Sequence, residues 1–134
     1  MWFYEGKEVV LADIPEEAIG FIYKITNTTN GRAYIGKKLL TKASYKTVNG
    51  KKKKVRKESD WLTYYSSCDE LKADIKSLGK DKFKREIICF TYTLTTHTYL
   101  ENKYLYVFEV LESNNWYNGN ISSKIFKNRI IGHV

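Results

Sequence analysis

Gly20-Phe21-Ile22-Tyr23-Lys24-Ile25-Thr26-Asn27, continued by Asn30-Gly31-Arg32-Ala33-Tyr34-Ile35-Gly36-Lys37-Lys38, is the stretch that decides the fold. Phe21, Tyr23 and Ile25 alternate with Ile22, Lys24 and Thr26, the period of two that a β-strand requires. Asn30-Gly31 is the strongest short hairpin signal, because both residues tolerate positive φ. Arg32 to Gly36 is then the returning strand. Antiparallel pairing brings Tyr23 and Tyr34 within a few residues of each other. Gly36 lets another backbone or a phosphate approach closely.

Downstream, the segment from Lys37 to Lys57 is dense in Lys and Arg and contains no Asp or Glu. Such a run cannot supply a core and reads as a solvated arm. Asn49-Gly50 marks a second, exposed hairpin or loop tip within it. The lack of interspersed acids points to phosphate binding by Lys42, Lys46, Lys51, Lys52, Lys53, Lys54, Arg56 and Lys57. Trp61, Tyr64 and Tyr65 follow in a short helix or turn and are expected to offer stacking surface.

Further on, Ser67 and Glu70 have capping-box spacing, and Leu71, Ile75 and Leu78 mark one face of a helix that stops at Gly79. Phe83 to Tyr92 reads as a strand. Thr96 is the expected N-cap of a longer helix with Leu100, Tyr104, Val107, Phe108 and Leu111 as its buried stripe. Asn114-Asn115 breaks it, and an extended tail follows. Upstream, Trp2 to Leu11 reads as a hairpin turning at Glu5-Gly6, and Pro15-Glu16-Glu17 as a turn. This order of elements describes an α+β domain with a small antiparallel sheet covered by helices.

The chain has 134 residues, one domain's length, with a formal net charge of +8 and 15% aromatic residues. A basic balance of that size is expected to meet a polyanion, since neutralised phosphates release condensed counterions. No apolar run reaches the roughly 18–20 residues of a membrane span, and the opening residues do not read as a signal peptide, so a cytoplasmic location is expected. Cys68 and Cys89 are too few and too far apart for a disulfide framework or a zinc site.

The hairpin string resembles the GIY-YIG nuclease superfamily, with Phe21-Ile22-Tyr23 as a variant first motif and Tyr34-Ile35-Gly36 as an intact second one. The likeness continues in order through Glu58-Ser59-Asp60-Trp61, Tyr64-Tyr65-Ser66-Ser67, Gly79-Lys80-Asp81-Lys82-Phe83-Lys84-Arg85-Glu86-Ile87, Glu101-Asn102-Lys103-Tyr104 and Trp116-Tyr117-Asn118, and is similar to phage-type, SegE-like members. It implies a three-stranded antiparallel sheet flanked by helices, with a basic insertion over about 37–57 in a core of about 18–120. Residues 1–134 then form one domain. The implied activity is metal-dependent DNA endonuclease, with Mg²⁺ as the expected ion and Mn²⁺ as the alternative. DNA is the implied partner, and a homodimer is left open.

The same resemblance assigns roles. Glu101 is the expected metal ligand, and a single carboxylate would leave the ion most of its water shell. Tyr23 is the candidate base. A phenol of pKa about 10 needs nearby cations for that role, with Lys37, Lys38 and the metal as suppliers. Tyr34 would hydrogen-bond the phosphate or the water, and Asn118 would anchor backbone or a phosphate oxygen. Many family members place an arginine on a helix after the second motif. Here Leu39 to Tyr45 has none, so Lys37, Lys38 or Arg56 is expected to supply the cation. His97 reads as an exposed helix histidine, with a proton shuttle as the alternative. A non-cutting DNA- or RNA-binding module of the same fold, or a protein-interaction domain using the aromatic surface, are the competing readings.

Overall fold

The computed structural model describes all 134 residues. Its main sheet has five strands: β1 (Trp2–Tyr4), β2 (Lys7–Glu8), β3 (Gly20–Asn27), β4 (Ala33–Leu39) and, after an inserted ribbon and a helix, β7 (Phe83–Thr91). They lie in the order β2-β1-β7-β3-β4. β3 pairs antiparallel with both β4 and β7, while β1 runs parallel to β7 through Trp2↔Arg85 and Tyr4↔Ile87. The sheet is therefore mixed and larger than the expected three-stranded antiparallel one. The cause is Trp2. Its indole is 2% exposed, donates to the Trp61 carbonyl at 2.8 Å and packs edge-on against Phe21 and Tyr23. Burying a ring of that size carries the N-terminal hairpin onto the free edge of β7.

Both expected hairpins form, with different turns. At Asn49-Gly50 both residues have positive φ and join β5 (Thr41–Val48) tightly to β6 (Lys51–Glu58). At Asn30-Gly31 only Gly31 has positive φ. There Asn27 takes over the turn: its carbonyl accepts from Gly31 N–H at 2.8 Å, and its Oδ1 accepts from the Thr29 hydroxyl at 2.6 Å. The β5–β6 ribbon is a two-stranded sheet of its own, and it sets Lys42 opposite Lys57 and Lys46 opposite Lys53. Like charges directly across a ladder repel, and a lone hairpin is marginal in water.

Helix α1 (Asp69–Leu78) covers the face bearing Phe21, Tyr23 and Ile25, inserting Leu71 and Ile75 beside Trp61. Helix α2 (Leu94–Val107) covers the other face, where Ile22 and Ile35 meet Leu105. Two short strands, β8 (Asn120–Ile121) and β9 (Ile125–Phe126), close that side. Neither helix is long and apolar enough to cross a membrane. Local expectations shift here. Cys68, not Ser67, precedes α1, with no side-chain cap, and Leu78 is exposed. Thr93 caps α2, accepting from Thr96 N–H at 3.1 Å. The buried stripe of α2 is His97 and Leu105, while Val107 is exposed and Leu111 reaches the core from beyond the helix end.

His97 is thus not an exposed helix histidine. It is 3% exposed, its Nδ1 lies 2.7 Å from the Thr91 hydroxyl, and Gly20 leaves room for its ring. Burial, reinforced by Lys37, lowers its pKa from 6.5 to about 4. A lowered histidine stabilises the fold only while neutral. Stability is therefore expected to fall as pH drops from about 6.5 towards 4, by up to about 3 kcal/mol. Urea midpoints across that window should drop for the wild-type chain. His97→Gln should flatten the part of the drop that belongs to this group.

Candidate active site

β4 is the outer strand of the sheet, and its free edge is where the candidate residues gather. Ahead of the site the edge is covered by the tail: Ala33 N–H donates to the Asn115 carbonyl at 3.0 Å, and Tyr117 N–H donates back to Ala33 at 2.8 Å. At Ile35 the covering strand is replaced by one side chain. Asn118 Oδ1 accepts from Ile35 N–H at 3.1 Å, and Asn118 Nδ2 donates to the Ile35 carbonyl at 2.8 Å. Asn118 is 5% exposed, so it anchors backbone, the first of the two tasks expected of it.

Past this amide a groove of about 440 Å³ opens, lined by Tyr34, Ser67, Cys68, Glu101, Asn118 and Ser122 among others. Tyr34 comes from the face under α1 and Glu101 from the helix on the opposite face. They meet around the strand edge rather than across one face of the sheet. Burial pushes Tyr34 up to about 12, against a hydrogen bond from Ser67 that lowers it. The phenol is a protonated donor at neutral pH. Burial also raises Glu101, with Lys37 opposing. Lys37 Nζ stands 4.0 Å from Glu101 Oε1 and 2.9 Å from the Thr98 hydroxyl.

Tyr23 lies beneath the groove, not in its lining. It is 1% exposed, and its ring centroid is 6.1 Å from that of Tyr34 and 6.0 Å from that of Tyr64. Gly36 sits directly opposite it in β4. A Cβ there would come within 2.5 Å of the Tyr23 hydroxyl. Gly36 therefore makes room for a phenol, where a backbone or a phosphate was expected. Burial, then the neighbouring Tyr34 and Tyr64, hold Tyr23 well above its ordinary value. Of the expected cationic suppliers, Lys37 pairs with Glu101 and Thr98, and Lys38 with Asp60. As placed, Tyr23 is a protonated packing and positioning residue.

Adjacent strand residues point to opposite faces, and this separates the two lysines. Lys38 Nζ pairs with Asp60 at 2.6 Å and lies 4.0 Å from the Tyr64 ring centroid. Arg56 folds back on the base of the ribbon, donating to the Thr41 hydroxyl at 3.0 Å and the Thr41 carbonyl at 2.9 Å. Of the three candidate cations, Lys37 is the one beside Glu101. Trp61 is no stacking platform either: it is 3% exposed and belongs to the core. By contrast Lys42, Lys46, Lys51, Lys52, Lys53, Lys54 and Lys57 are exposed and in no ion pair.

Sequence reading gave no site role to Ser67, Cys68 or the turn at Ser122-Ser123, which wall the groove. Both turn serines have positive φ, at 55° and 53°, a conformation no serine pair advertises. It also gave no role to Arg85, a buried cation that donates to the Leu62 and Tyr64 carbonyls between the Trp2 and Tyr65 rings. The groove's donors are oxygen-rich: one carboxylate and neutral hydroxyl and amide groups. No cluster of three or more His, Cys, Asp or Glu side chains forms anywhere. That set fits a hard divalent ion that keeps most of its water, with Glu101 as its protein anchor. A family model described as "Putative endonuclease segE, GIY-YIG domain" matches residues 2–121. No curated protein and no solved structure matches the chain.

Proposed function

The chain belongs to the SegE-type GIY-YIG endonuclease domain family, and from that premise we propose that it hydrolyses DNA phosphodiester bonds in the groove along β4. One observation carries the reading. Tyr34, Glu101 and Asn118, which come from three separate parts of the sequence, line that one groove.

The whole chain, 1–134, acts as one nuclease domain in this proposal. Glu101 holds a divalent cation, Mg²⁺ or in its place Mn²⁺. When bound, the ion offsets the charge that builds on the phosphate oxygens as water attacks. The remaining tasks fall to the chain's own side chains. Tyr34 donates its phenolic hydrogen to a phosphate oxygen or to the attacking water. Asn118 fixes the edge backbone at Ile35, so that Tyr34 keeps its place. Tyr23, packed over Gly36, holds β3 and β4 in register from below. Lys37 takes the part of the family's missing arginine, supplying positive charge beside Glu101 as a point charge rather than a planar fork. The lysines of β5 and β6 hold duplex phosphates without reading sequence.

A purified sample is expected to convert supercoiled plasmid to nicked or linear DNA with Mg²⁺ or Mn²⁺, and not with EDTA. Intact plasmid under all conditions, with DNA bound, would support the second reading, a non-cutting DNA-binding domain of this fold. The observation favouring that alternative is the absence of any arginine from the groove lining.

A further inference from the structure

Helix α1 sets two pairs of charges on either side of the buried Leu71 and Ile75, with the exposed Asp69 of its first turn on the lysine side. On one flank Glu70 and Asp74, four residues apart, are both engaged: Glu70 with Arg32 at 2.7 Å, and Asp74 with the Tyr117 hydroxyl at 2.6 Å. On the other flank Lys72 and Lys76, also four apart, are exposed and in no ion pair, and Lys80 continues their line past the helix end. These three lysines face Tyr64 and Tyr65 across an open cleft of about 610 Å³. A row of solvated lysines is ordinary on its own, and two further facts distinguish this one.

The first is an uncompensated charge behind the wall. Arg85 is 3% exposed, has no carboxylate partner, keeps an unpartnered Nε, and stacks 4.1 Å from the Tyr65 ring centroid. The one acid in the cleft, Asp60, is already neutralised by Lys38 at 2.6 Å. The cleft therefore presents positive potential. The second is continuity. Tyr64 and Asp60 also line the neighbouring cleft that holds Lys37, Lys38 and Lys42, at the root of the ribbon. The two clefts adjoin at Tyr64 and at the Lys38–Asp60 pair, with lysines on either side of that junction.

We propose that Lys72, Lys76 and Lys80, set around Tyr64 and Tyr65, form a second contact for the phosphate backbone of the DNA substrate, joined to the ribbon through Tyr64. Backbone is favoured over base stacking because cations already cover these rings, Lys38 on Tyr64 and Arg85 with Lys80 on Tyr65. The identity of the polyanion as DNA rests on the nuclease reading; the surface does not.

Binding of a fluorescent DNA duplex, measured by anisotropy in EDTA over a salt series, tests this without any cleavage. Each phosphate contact contributes about 0.9 to the slope of log K against log salt. Lys72→Gln with Lys76→Gln is expected to reduce the slope by about 2. The control pair Lys7→Gln with Lys103→Gln removes equal charge elsewhere and should leave the slope in place. An unchanged slope in the α1 variant, while Lys52→Gln with Lys53→Gln lowers it, overturns the second contact and leaves the ribbon and the nuclease reading standing. An equal fall in the control pair also overturns it, because the effect is then one of net charge. A wild-type chain that binds no duplex overturns this proposal and the DNA reading together.

Discussion

Glu101→Ala should abolish metal-dependent plasmid cleavage, by roughly 10²–10³-fold or more, the scale expected when a group stabilising transition-state charge is removed. DNA binding should stay close to wild type, because the proposed phosphate contacts lie on the ribbon and α1. The fold should survive as well. The Lys37–Glu101 pair is separated by 4.0 Å and partly solvated, and such pairs contribute at most about 1 kcal/mol. Lost cleavage with an unchanged melting temperature and unchanged duplex affinity is therefore the expected triad of results. Undiminished nicking by the purified variant would remove Glu101 from the mechanism and with it the proposed metal anchor. Glu101→Gln sharpens the test, since it keeps the shape and removes the charge.

The second large effect concerns a residue with no chemistry of its own. Gly36→Ala places a methyl group 2.5 Å from the Tyr23 hydroxyl, 2.6 Å from its Cζ and 2.9 Å from Tyr34 Cε1. Tyr23 cannot yield, because Phe21, Trp2 and Tyr64 hold its ring on the remaining sides. Overpacking of this kind costs about 1–3 kcal/mol, a fall in melting temperature of roughly 3–10 °C for a chain of this size. Cleavage should fall further than stability does, because the displaced Tyr34 leaves its place in the groove. Equal melting temperatures for variant and wild type would show that the phenol is not wedged over the strand.

These two positions also show what could be read from the chain. Strand alternation located β3 and β4 because their period reports local geometry, and Leu71 and Ile75 located the inner face of α1 for the same reason. The same dipeptide gave different turns at Asn30-Gly31 and Asn49-Gly50. Only the first lies beside a buried asparagine that competes for the turn's hydrogen bonds. Long-range pairing was illegible: nothing near Trp2 announces a partner at Arg85. Burial was equally hidden. Trp61 and His97 looked like surface groups because their neighbours in sequence are polar, while their neighbours in space are Phe21 and Thr91. Within the site, the family resemblance singled out Tyr34, Glu101 and Asn118, and these three line one groove. It could not show that Tyr23 lies below the groove, or that alternation along β4 gives Lys37 and Lys38 different partners.

The amide of Asn118 has a further consequence for a sheet whose last strand must remain uncovered. A bare outer strand offers its N–H and C=O groups to any extended chain, including another molecule of the same protein. At Ile35 both groups are already taken by a side chain too short to continue the ladder. The amide that borders the proposed groove thus also withdraws one N–H and one C=O of the outer strand from pairing with a second copy.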